Sequence, residues 1–320
     1  MASDRVRRIR RFVVATVTCT AMATIATAVS GGPATAEPPC AATISTLIPS
    51  PSPTGWAENI TYDATGGLWV TRTLDNTVQR YDRNNRLTAT VPVASPGAIR
   101  PGPGGALYVT SGDSPVNMIP GTPRTGALLR IDPAAARPVA RPVIRGLGMP
   151  NGLAFDARGN AYIADGALGV IRLRPDGSVD RRWSRSAPQN LTPTATVNGT
   201  GVNGAVVVGD TLYVTLTTSL TGRVLAVPLD HPDRVRVAAD LTAPLPGVLD
   251  DLTVLDSGGS RSLVVTSTLG QLHVVDLRTG ARCGVMLGAP LTAVAVRPNG
   301  PRQLAVTSEN GAVYAVTLRR

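Results

Sequence analysis

Four oxygen-bearing side chains recur at one position of a repeated sequence pattern, and together they could bind a hard cation. They are Glu58, Asn151, Asn203 and Asp250, two carboxylates and two amides. Two carboxylates balance the charge of a divalent ion, and Ca²⁺ accepts about six to eight oxygen ligands in a flexible shell. Four protein ligands leave positions for water and a small-molecule substrate. The sequence therefore predicts a divalent-metal site, with Ca²⁺ as the expected ion.

A purely structural reading of these residues is the alternative. Asn followed by Gly, as in Asn151-Gly152 and Asn203-Gly204, is also ordinary turn chemistry. Any one of the four residues alone is better explained as structural, so the prediction depends on their shared position in the repeat. Asn198 also stands in a Val-Asn-Gly sequence, and spacing alone favours Asn203 over it.

The repeat is a short apolar block that occurs six times, each time followed by Thr or Ala. The blocks begin at Leu68, Leu107, Ala161, Leu212, Leu263 and Leu304. Counting back from each block to the start of the preceding strand gives Glu58, Gly97, Asn151, Asn203, Asp250 and Thr292. The intervals of 39 to 54 residues resemble the roughly 40–50 residues of a propeller blade. The first strand of every blade lines the axis of a propeller, so these six positions should meet at one end of the channel.

The elements around the blocks predict an all-β protein, a six-bladed β-propeller. Apolar and polar residues alternate along the strands, turns are rich in Gly, and no stretch has a helical period. A sandwich would not require such uniform units. The last unit has three strands, so a strand at 42–47 is expected to close it. The predicted divisions are a leader at 1–36, the closing strand and a linker at 37–54, and the propeller at 55–320.

Four segments carry a resemblance to a known family. They are Trp56–Asp63, Met149–Asp156 with its Pro-Asn-Gly, Val202–Val206 and Leu249–Val254. The chain resembles the SMP-30/gluconolactonase/LRE-like family of six-bladed propellers over nearly all of the chain after the leader. That family binds a divalent metal, usually Ca²⁺, through a Glu in blade one, Asn in blades three and four, and Asp in blade five.

The resemblance assigns these metal ligands to Glu58, Asn151, Asn203 and Asp250, and the family's lack of a ligand in blade two agrees with Gly97. It also implies hydrolysis of a lactone or related ester, with the metal polarising the carbonyl group. Asp250 is the expected base or nucleophile, and Asp251 beside it is the weaker candidate.

Two departures bear on the substrate. Asn59-Ile60 follows the blade-one Glu where sugar lactonases more often have Gly-Pro, and Met149 replaces an Arg two residues before the blade-three Asn. The resemblance thus implies a less polar substrate than gluconolactone.

Other functions find less support. His231 and His273 do not align with an inner position, and neither a Gly-x-Ser-x-Gly motif nor a phosphate-binding loop is present. The alternative is a non-catalytic binding module with a structural metal, for which the Pro- and Thr-rich stretch at 184–200 could supply a surface.

The N-terminus is typical of an export signal. Five Arg precede the uncharged segment Phe12–Val29, and Ala34-Thr35-Ala36 fits a cleavage site. A transmembrane anchor is the alternative, but the segment is short and rich in Thr and Ala. The expected product is secreted and has no stable membrane insertion after cleavage.

Charge and cysteine content bound the partners. Removing the leader takes away five Arg and one Asp, so the net charge falls from +10 to +6. The remaining Arg are scattered, apart from a group around Trp183, and aromatic residues make up only 3% of the chain. Nucleic-acid binding is therefore not expected. Cys40 and Cys283 remain after cleavage and could form one disulfide in an oxidising compartment, with two free thiols as the alternative.

Overall fold

The protein is a six-bladed β-propeller, as predicted. The computed structural model of the 320-residue chain describes residues 37–52, 55–189, 201–217, 219, 221–242 and 248–319. Six antiparallel sheets account for nearly all regular structure in these residues. The predicted leader at 1–36 and Asn198 lie outside the described residues. No helix within the described ranges is long and apolar enough to cross a membrane.

The first half of the chain builds the closing strand and blades one to three. These elements are β1 (Ala42–Ile48), then β2 (Ala57–Tyr62), β3 (Leu68–Arg72), β4 (Thr77–Tyr81) and β5 (Leu87–Pro92) of blade one, β6 (Pro96–Pro101), β7 (Leu107–Ser111), β8 (Gly126–Ile131) and β9 (Ala140–Leu147) of blade two, and β10 (Pro150–Phe155), β11 (Ala161–Asp165) and β12 (Gly169–Leu173) of blade three. Short 3-10 turns occupy Pro103–Gly105 and Pro115–Met118, and the helix α1 spans Arg181–Ser186.

The second half builds blades four to six. These are β13 (Val202–Val208), β14 (Thr211–Leu216), β15 (Arg223–Pro228) and β16 (Arg236–Asp240) of blade four, β17 (Leu249–Asp256), β18 (Arg261–Ser267), β19 (Gln271–Asp276) and β20 (Arg282–Met286) of blade five, and β21 (Leu291–Arg297), β22 (Gly300–Ser308) and β23 (Val313–Leu318) of blade six. Each of the six predicted apolar blocks forms the second strand of its blade.

The N-terminal strand closes the ring, as the sequence predicted. β1 pairs antiparallel with β23, so blade six has the order β1-β23-β22-β21. The residues just before β1 pair in parallel with β20 of blade five through Pro39 and Gly284. The sulfur atoms of Cys40 and Cys283 lie 2.01 Å apart, and their Cα atoms 5.1 Å apart. This geometry suits a disulfide that joins the last two blades.

Blade three departs from the four-stranded pattern that the repeat predicted. Within the described residues it has three strands, and α1 lies where the fourth was expected. The outward N–H groups of β12 find partners there, because Arg172 N donates to Ser184 Oγ at 3.0 Å and Val170 N to Pro188 O at 3.0 Å. Asp180 caps the helix by accepting a hydrogen bond from Trp183 N at 3.1 Å. The helix therefore satisfies the sheet edge that a fourth strand would otherwise cover.

The hydrophobic core lies between neighbouring blades. Trp69 and Val78 of blade one, for example, pack against Ile99 and Val109 of blade two, and all four are fully buried. Because successive side chains of a strand point to opposite faces of the sheet, each blade presents apolar side chains to both neighbouring blades. Burial between the sheets thus fixes the position of each inner strand around the channel.

A hydroxyl group after four of the six blocks links neighbouring blades next to the channel. Thr71 Oγ1 accepts a hydrogen bond from Asn59 N and donates to Gly97 O of the next blade, both at 2.8 Å. Equivalent hydroxyl groups join blade two to three, four to five and five to six at Thr110, Thr215 and Thr266. Ala164 interrupts this set between blades three and four. The Thr that the sequence repeats therefore fixes the backbone of the inner positions themselves.

Candidate metal site at the channel mouth

A register shift at the start of every blade positions the predicted residues. The pairing of first and second strands is interrupted between Ala57 and Asn59, and between Leu249 and Leu252. The other four blades have the same interruption, so all six predicted inner positions fall within such a shift. A bulge turns a side chain away from the regular alternation of a strand. The repeat thus brings the predicted residues to one end of the channel.

Glu58 and Asn151 are in direct contact across this end. Asn151 Nδ2 donates to Glu58 Oε1 at 2.8 Å, and Trp56 Nε1 donates to Glu58 Oε2 at 2.7 Å. The same Asn151 Nδ2 lies 3.1 Å from Asp113 Oδ2. Asp113 was not among the sequence-predicted residues and comes from the loop after β7. One amide donor therefore lies between two carboxylates from different blades.

Asp250 is buried without a hydrogen-bond donor. Its residue is only 5% exposed, and no hydrogen bond or ion pair reaches its carboxylate from the described residues. Asn203 Oδ1, from the neighbouring blade, is likewise buried without a partner. A buried polar atom without a partner costs about 1–3 kcal/mol. Among the described residues, the fully buried side-chain atoms without a hydrogen-bond partner at this end of the channel are thus Asn203 Oδ1 and Asp251 Oδ1, and no partner reaches the Asp250 carboxylate either.

The carboxylates here resist ionisation. We call Glu58, Asp113 and Asp250 the acidic mouth. Burial raises the pKa of Asp250 well above its ordinary value, and the Glu58 carboxylate raises it further. Burial and Glu58 act in the same way on the pKa of Asp113. Burial also raises the pKa of Glu58, although hydrogen bonds from Asn151 and Trp56 oppose this effect.

No cation of the described residues neutralises the acidic mouth. Among the described residues, none of its carboxylates forms a salt bridge. Within the same residues, no three Asp, Glu, His or Cys side chains converge closely enough to hold a metal ion alone. A metal ion at this end would therefore depend on the amide oxygens of Asn151 and Asn203 as well as on the carboxylates.

Asp251 has a different environment from Asp250. Its Oδ2 accepts hydrogen bonds from Asn59 Nδ2 at 3.0 Å and from the Arg100 guanidinium, with which it forms a salt bridge. Arg100 also donates to Asn59 Oδ1. We call these three residues the cross-channel clamp, because they belong to blades one, two and five. One oxygen of the Asp251 carboxylate, Oδ2, is thus already paired, and the other, Oδ1, is buried without a partner. No group of the described residues pairs with the Asp250 carboxylate.

Asp165 positions the Pro-Asn-Gly segment. It is fully buried and accepts hydrogen bonds from Gly148 N at 2.8 Å and from Met149 N at 3.0 Å. These bonds hold the chain immediately before Asn151. Burial raises the pKa of Asp165 despite its donors.

The two histidines lie away from the mouth. His273 Nδ1 is 2.6 Å from Glu37 Oε2, in a buried pair between β19 and the segment before β1. His231 is exposed in a loop. Their positions agree with the sequence prediction that neither serves the channel.

The antiparallel geometry of a blade could have revealed Asp113. When two strands form a hairpin, the start of the first and the end of the second lie at the same end of the sheet. Acidic residues just after an apolar block therefore belong with the inner positions. Asp113 follows Thr110 by three residues, and Glu309, which raises the pKa of Glu58 and Asp250, follows Thr307 by two.

The residues of the mouth fit a hard cation. Asp250 and the Asn203 Oδ1 atom are unpaired oxygen donors, and the other two carboxylates share one amide. Oxygen donors of this kind suit Ca²⁺ or Mg²⁺ and not the soft ligand sets that select zinc or copper.

Solved structures with the same fold include several enzymes. A gluconolactonase from Xanthomonas campestris is 17% identical, with a TM-score of 0.64, over 90% of this chain and 99% of that one. A luciferin-regenerating enzyme is 17% identical, with a TM-score of 0.63, over 87% of this chain and 95% of that one. The virginiamycin B lyase of Staphylococcus aureus is 12% identical, with a TM-score of 0.58, over 87% of this chain and 100% of that one.

These similarities establish the fold, which hosts more than one activity. No family model matches the chain, and no curated protein matches it. A histidine-to-alanine variant of the virginiamycin B lyase is catalytically inactive. In the described part of the present chain, neither histidine lies at the mouth, so the site differs from one that depends on histidine.

Proposed function

We propose that the protein is a Ca²⁺-dependent hydrolase of a lactone or related ester, with its site at the acidic mouth. The observation that carries this proposal is that Asp250 is only 5% exposed and its carboxylate has no partner among the described residues, while Asn203 Oδ1 of the neighbouring blade is buried and unpaired. The gluconolactonase and luciferin-regenerating enzyme with the same fold support a hydrolase by analogy. Glu58, Asn151, Asn203 and Asp250 are the proposed ligands.

The chain's own residues would divide the work as follows. A bound Ca²⁺ supplies Lewis-acid stabilisation of the charge that develops on a carbonyl oxygen. Asp250 is the best placed base, because its carboxylate has no hydrogen bond to give up before it accepts a proton from water. Trp56 and Asn151 orient Glu58, and Asp165 holds the backbone before Asn151. Asp251, paired with Arg100, would keep the channel in shape.

Bound metal also requires Asn151 to change its hydrogen bonding. Its Nδ2 now faces Glu58 and Asp113, whereas an amide ligand must present its oxygen to a cation. To hold an ion, Asn151 would therefore have to present Oδ1 in place of Nδ2.

We propose an apolar group on the substrate. Met149 stands where sugar-lactone members of the resembling family have Arg, and its side chain packs over Gly166. The loop that carries Asp113 continues into Val116, Met118 and Ile119, which are 59%, 40% and 56% exposed. These side chains offer an aliphatic contact surface next to the mouth.

We further propose that the protein is exported, as its N-terminal segment suggests. The short distance between Cys40 and Cys283 supports this, because disulfides persist mainly in oxidising compartments. Export would place the site where extracellular Ca²⁺ is available.

Assays with γ- and δ-lactones of increasing alkyl chain length test this function. A pH-stat measures the acid that hydrolysis releases. We expect turnover that is abolished by EDTA, restored by Ca²⁺ and higher for alkyl lactones than for gluconolactone. Asp250→Asn should be folded by circular dichroism and inactive, while Asp75→Asn, an exposed change on the same face, should keep full activity.

A different outcome would favour the binding module. If EDTA lowers the melting temperature but no lactone, ester or phosphotriester is hydrolysed, the metal is structural and the enzymatic proposal is wrong. Full activity in Asp250→Asn would instead reject the assignment of the base.

A further inference from the structure

We infer that Asp113 is a metal ligand, which blade two supplies from a loop because its inner position cannot carry a side chain. This inference rests on the proposed metal site and extends it by one residue. It extends the proposed ligands to three carboxylates and two amides from five of the six blades, although within the described residues the three carboxylates do not converge closely enough to hold an ion by themselves.

Blade two has no room for a ligand at its inner position. A Cβ atom on Gly97 would lie 2.8 Å from Thr110 Oγ1 and 3.1 Å from both Asn151 Cα and Pro150 O. Thr110 cannot yield, because its hydroxyl donates to Asn151 O at 2.9 Å and so joins blades two and three. The link between the blades thus excludes a side chain here.

The loop after β7 is built to return to this place. Gly112 has a φ of 92°, and a Cβ atom on it would lie 2.8 Å from Gly126 Cα, so only Gly fits. Asp113 N donates to Ser95 O at 2.9 Å, and Asn117 Nδ2 donates to Gly112 O at 2.7 Å. The backbone on both sides of the Asp113 side chain is therefore fixed before any ligand binds.

The Asp113 carboxylate is turned toward the other acids without a counter-ion. Its Oδ2 shares the Asn151 amide with Glu58, and within the described residues no basic group pairs with it. Two carboxylates that share one neutral donor define a place that attracts positive charge. Asp250, buried and without a donor, is an independent sign that a ligand is missing from the same place.

A third carboxylate changes what the site selects. Glu58 and Asp250 alone would neutralise a divalent ion, whereas Asp113 raises the formal charge of the protein ligands from −2 to −3. Higher ligand charge strengthens binding of Ca²⁺ and favours trivalent lanthanides still more. The site should therefore discriminate strongly by ion charge.

Terbium luminescence on the full chain tests the inference. Trp56 lies against Glu58 through a 2.7 Å hydrogen bond, so it should sensitise emission from Tb³⁺ bound there. We expect Asp113→Asn to weaken Tb³⁺ and Ca²⁺ binding at least about tenfold, the range seen when groups that support a metal are lost. Asp113→Ala should add about one metal-bound water to the hydration number obtained from decay rates in H₂O and D₂O.

Asp75→Asn is the matched control for charge. Asp75 is exposed in the corresponding loop of blade one, so its removal changes the field of the same face without touching the mouth. If Asp113→Asn and Asp75→Asn lower the affinity for the ion equally, Asp113 acts only through long-range electrostatic attraction, and the inference is wrong. An unchanged affinity in Asp113→Asn, or an unchanged hydration number in Asp113→Ala, while the wild type binds the ion, would also overturn it. If the wild type binds neither ion, the proposed metal site itself is wrong, and this inference with it.

Discussion

The same substitution at two adjacent residues should change stability in opposite directions. Asp250 and Asp251 are both buried, at 5% and 1% exposure. Asp251 pairs through Oδ2 with Arg100 and Asn59, whereas Asp250 has no partner among the described residues and lies near Glu58 and Asp113. In metal-free protein at pH 8, Asp251→Asn should therefore lower the melting temperature, and Asp250→Asn should leave it unchanged or raise it.

The magnitudes follow from what each change leaves behind. Breaking a buried ion pair by removing one partner costs about 3–5 kcal/mol. Arg100 is 15% exposed and Asn keeps one acceptor oxygen, so the lower end, about 3 kcal/mol, applies to Asp251→Asn. At about 2–4 °C per kcal/mol, the melting temperature should fall by about 6–12 °C. Asp250→Asn removes no hydrogen bond or ion pair of the described residues and relieves repulsion from Glu58 and Asp113, so the melting temperature should stay the same or rise.

Thermal unfolding in EDTA, followed by circular dichroism, measures both changes. Repeating it with excess Ca²⁺ separates the two residues further, since the wild type and Asp251→Asn should gain stability from the ion and Asp250→Asn should not. A fall in melting temperature for both variants in EDTA would mean that Asp250 has a structural partner. Equal Ca²⁺ stabilisation of all three proteins would remove Asp250 from the metal site.

Three other perturbations test separate parts of the structure. Because the pKa values of the acidic mouth are raised, cation binding should release protons, and Ca²⁺ affinity should fall as the pH is lowered. The free energy of unfolding of the metal-free protein should fall as the pH rises through these pKa values. Calorimetry in buffers of different ionisation enthalpy measures the proton release, and finding none would contradict this prediction. Cys283→Ser opens a loop with a sequence separation of 243 residues, which the chain-entropy model values at about 5 kcal/mol, so reductant should destabilise the wild type but not the variant. Thr266→Val leaves Asp251 N and Thr292 O buried and unpaired and should cost about 1–3 kcal/mol by denaturant unfolding, against almost nothing for the exposed Thr46→Val.

Most of the fold could be predicted because its information is repetitive. Six apolar blocks and their Thr specify six inner strands, and the counting position coincides with the register shift in every blade. The prediction of a fourth strand in blade three was wrong for the described residues, where α1 stands instead. The helix could not be recognised in the sequence, because its six residues are too few to show a helical period. Its determinants are single contacts, the Asp180 cap and the buried Trp183.

Only those residues of the site that occupy the shared position of the repeat could be predicted from the sequence. Glu58, Asn151, Asn203 and Asp250 share one repeat position, but Asp113 comes from the loop after β7 and lies outside that position. Arg100 and its partner Asp251 are 151 residues apart and meet only because the ring closes. Neither composition nor spacing encodes such a contact, which depends on the final diameter of the channel.

Asp250 and Asp251 differ in whether a protein cation pairs with them, and this difference bears on the role of the acidic mouth. An unpaired charge is expensive to bury, so a fold usually supplies a cation or replaces the acid. This chain has 31 basic residues and places Arg100 against Asp251, one residue away. Among the described residues it places none against the acidic mouth. Since a protein cation is close at hand and is used for the neighbour, the uncompensated mouth is best explained as a place for a cation from solvent.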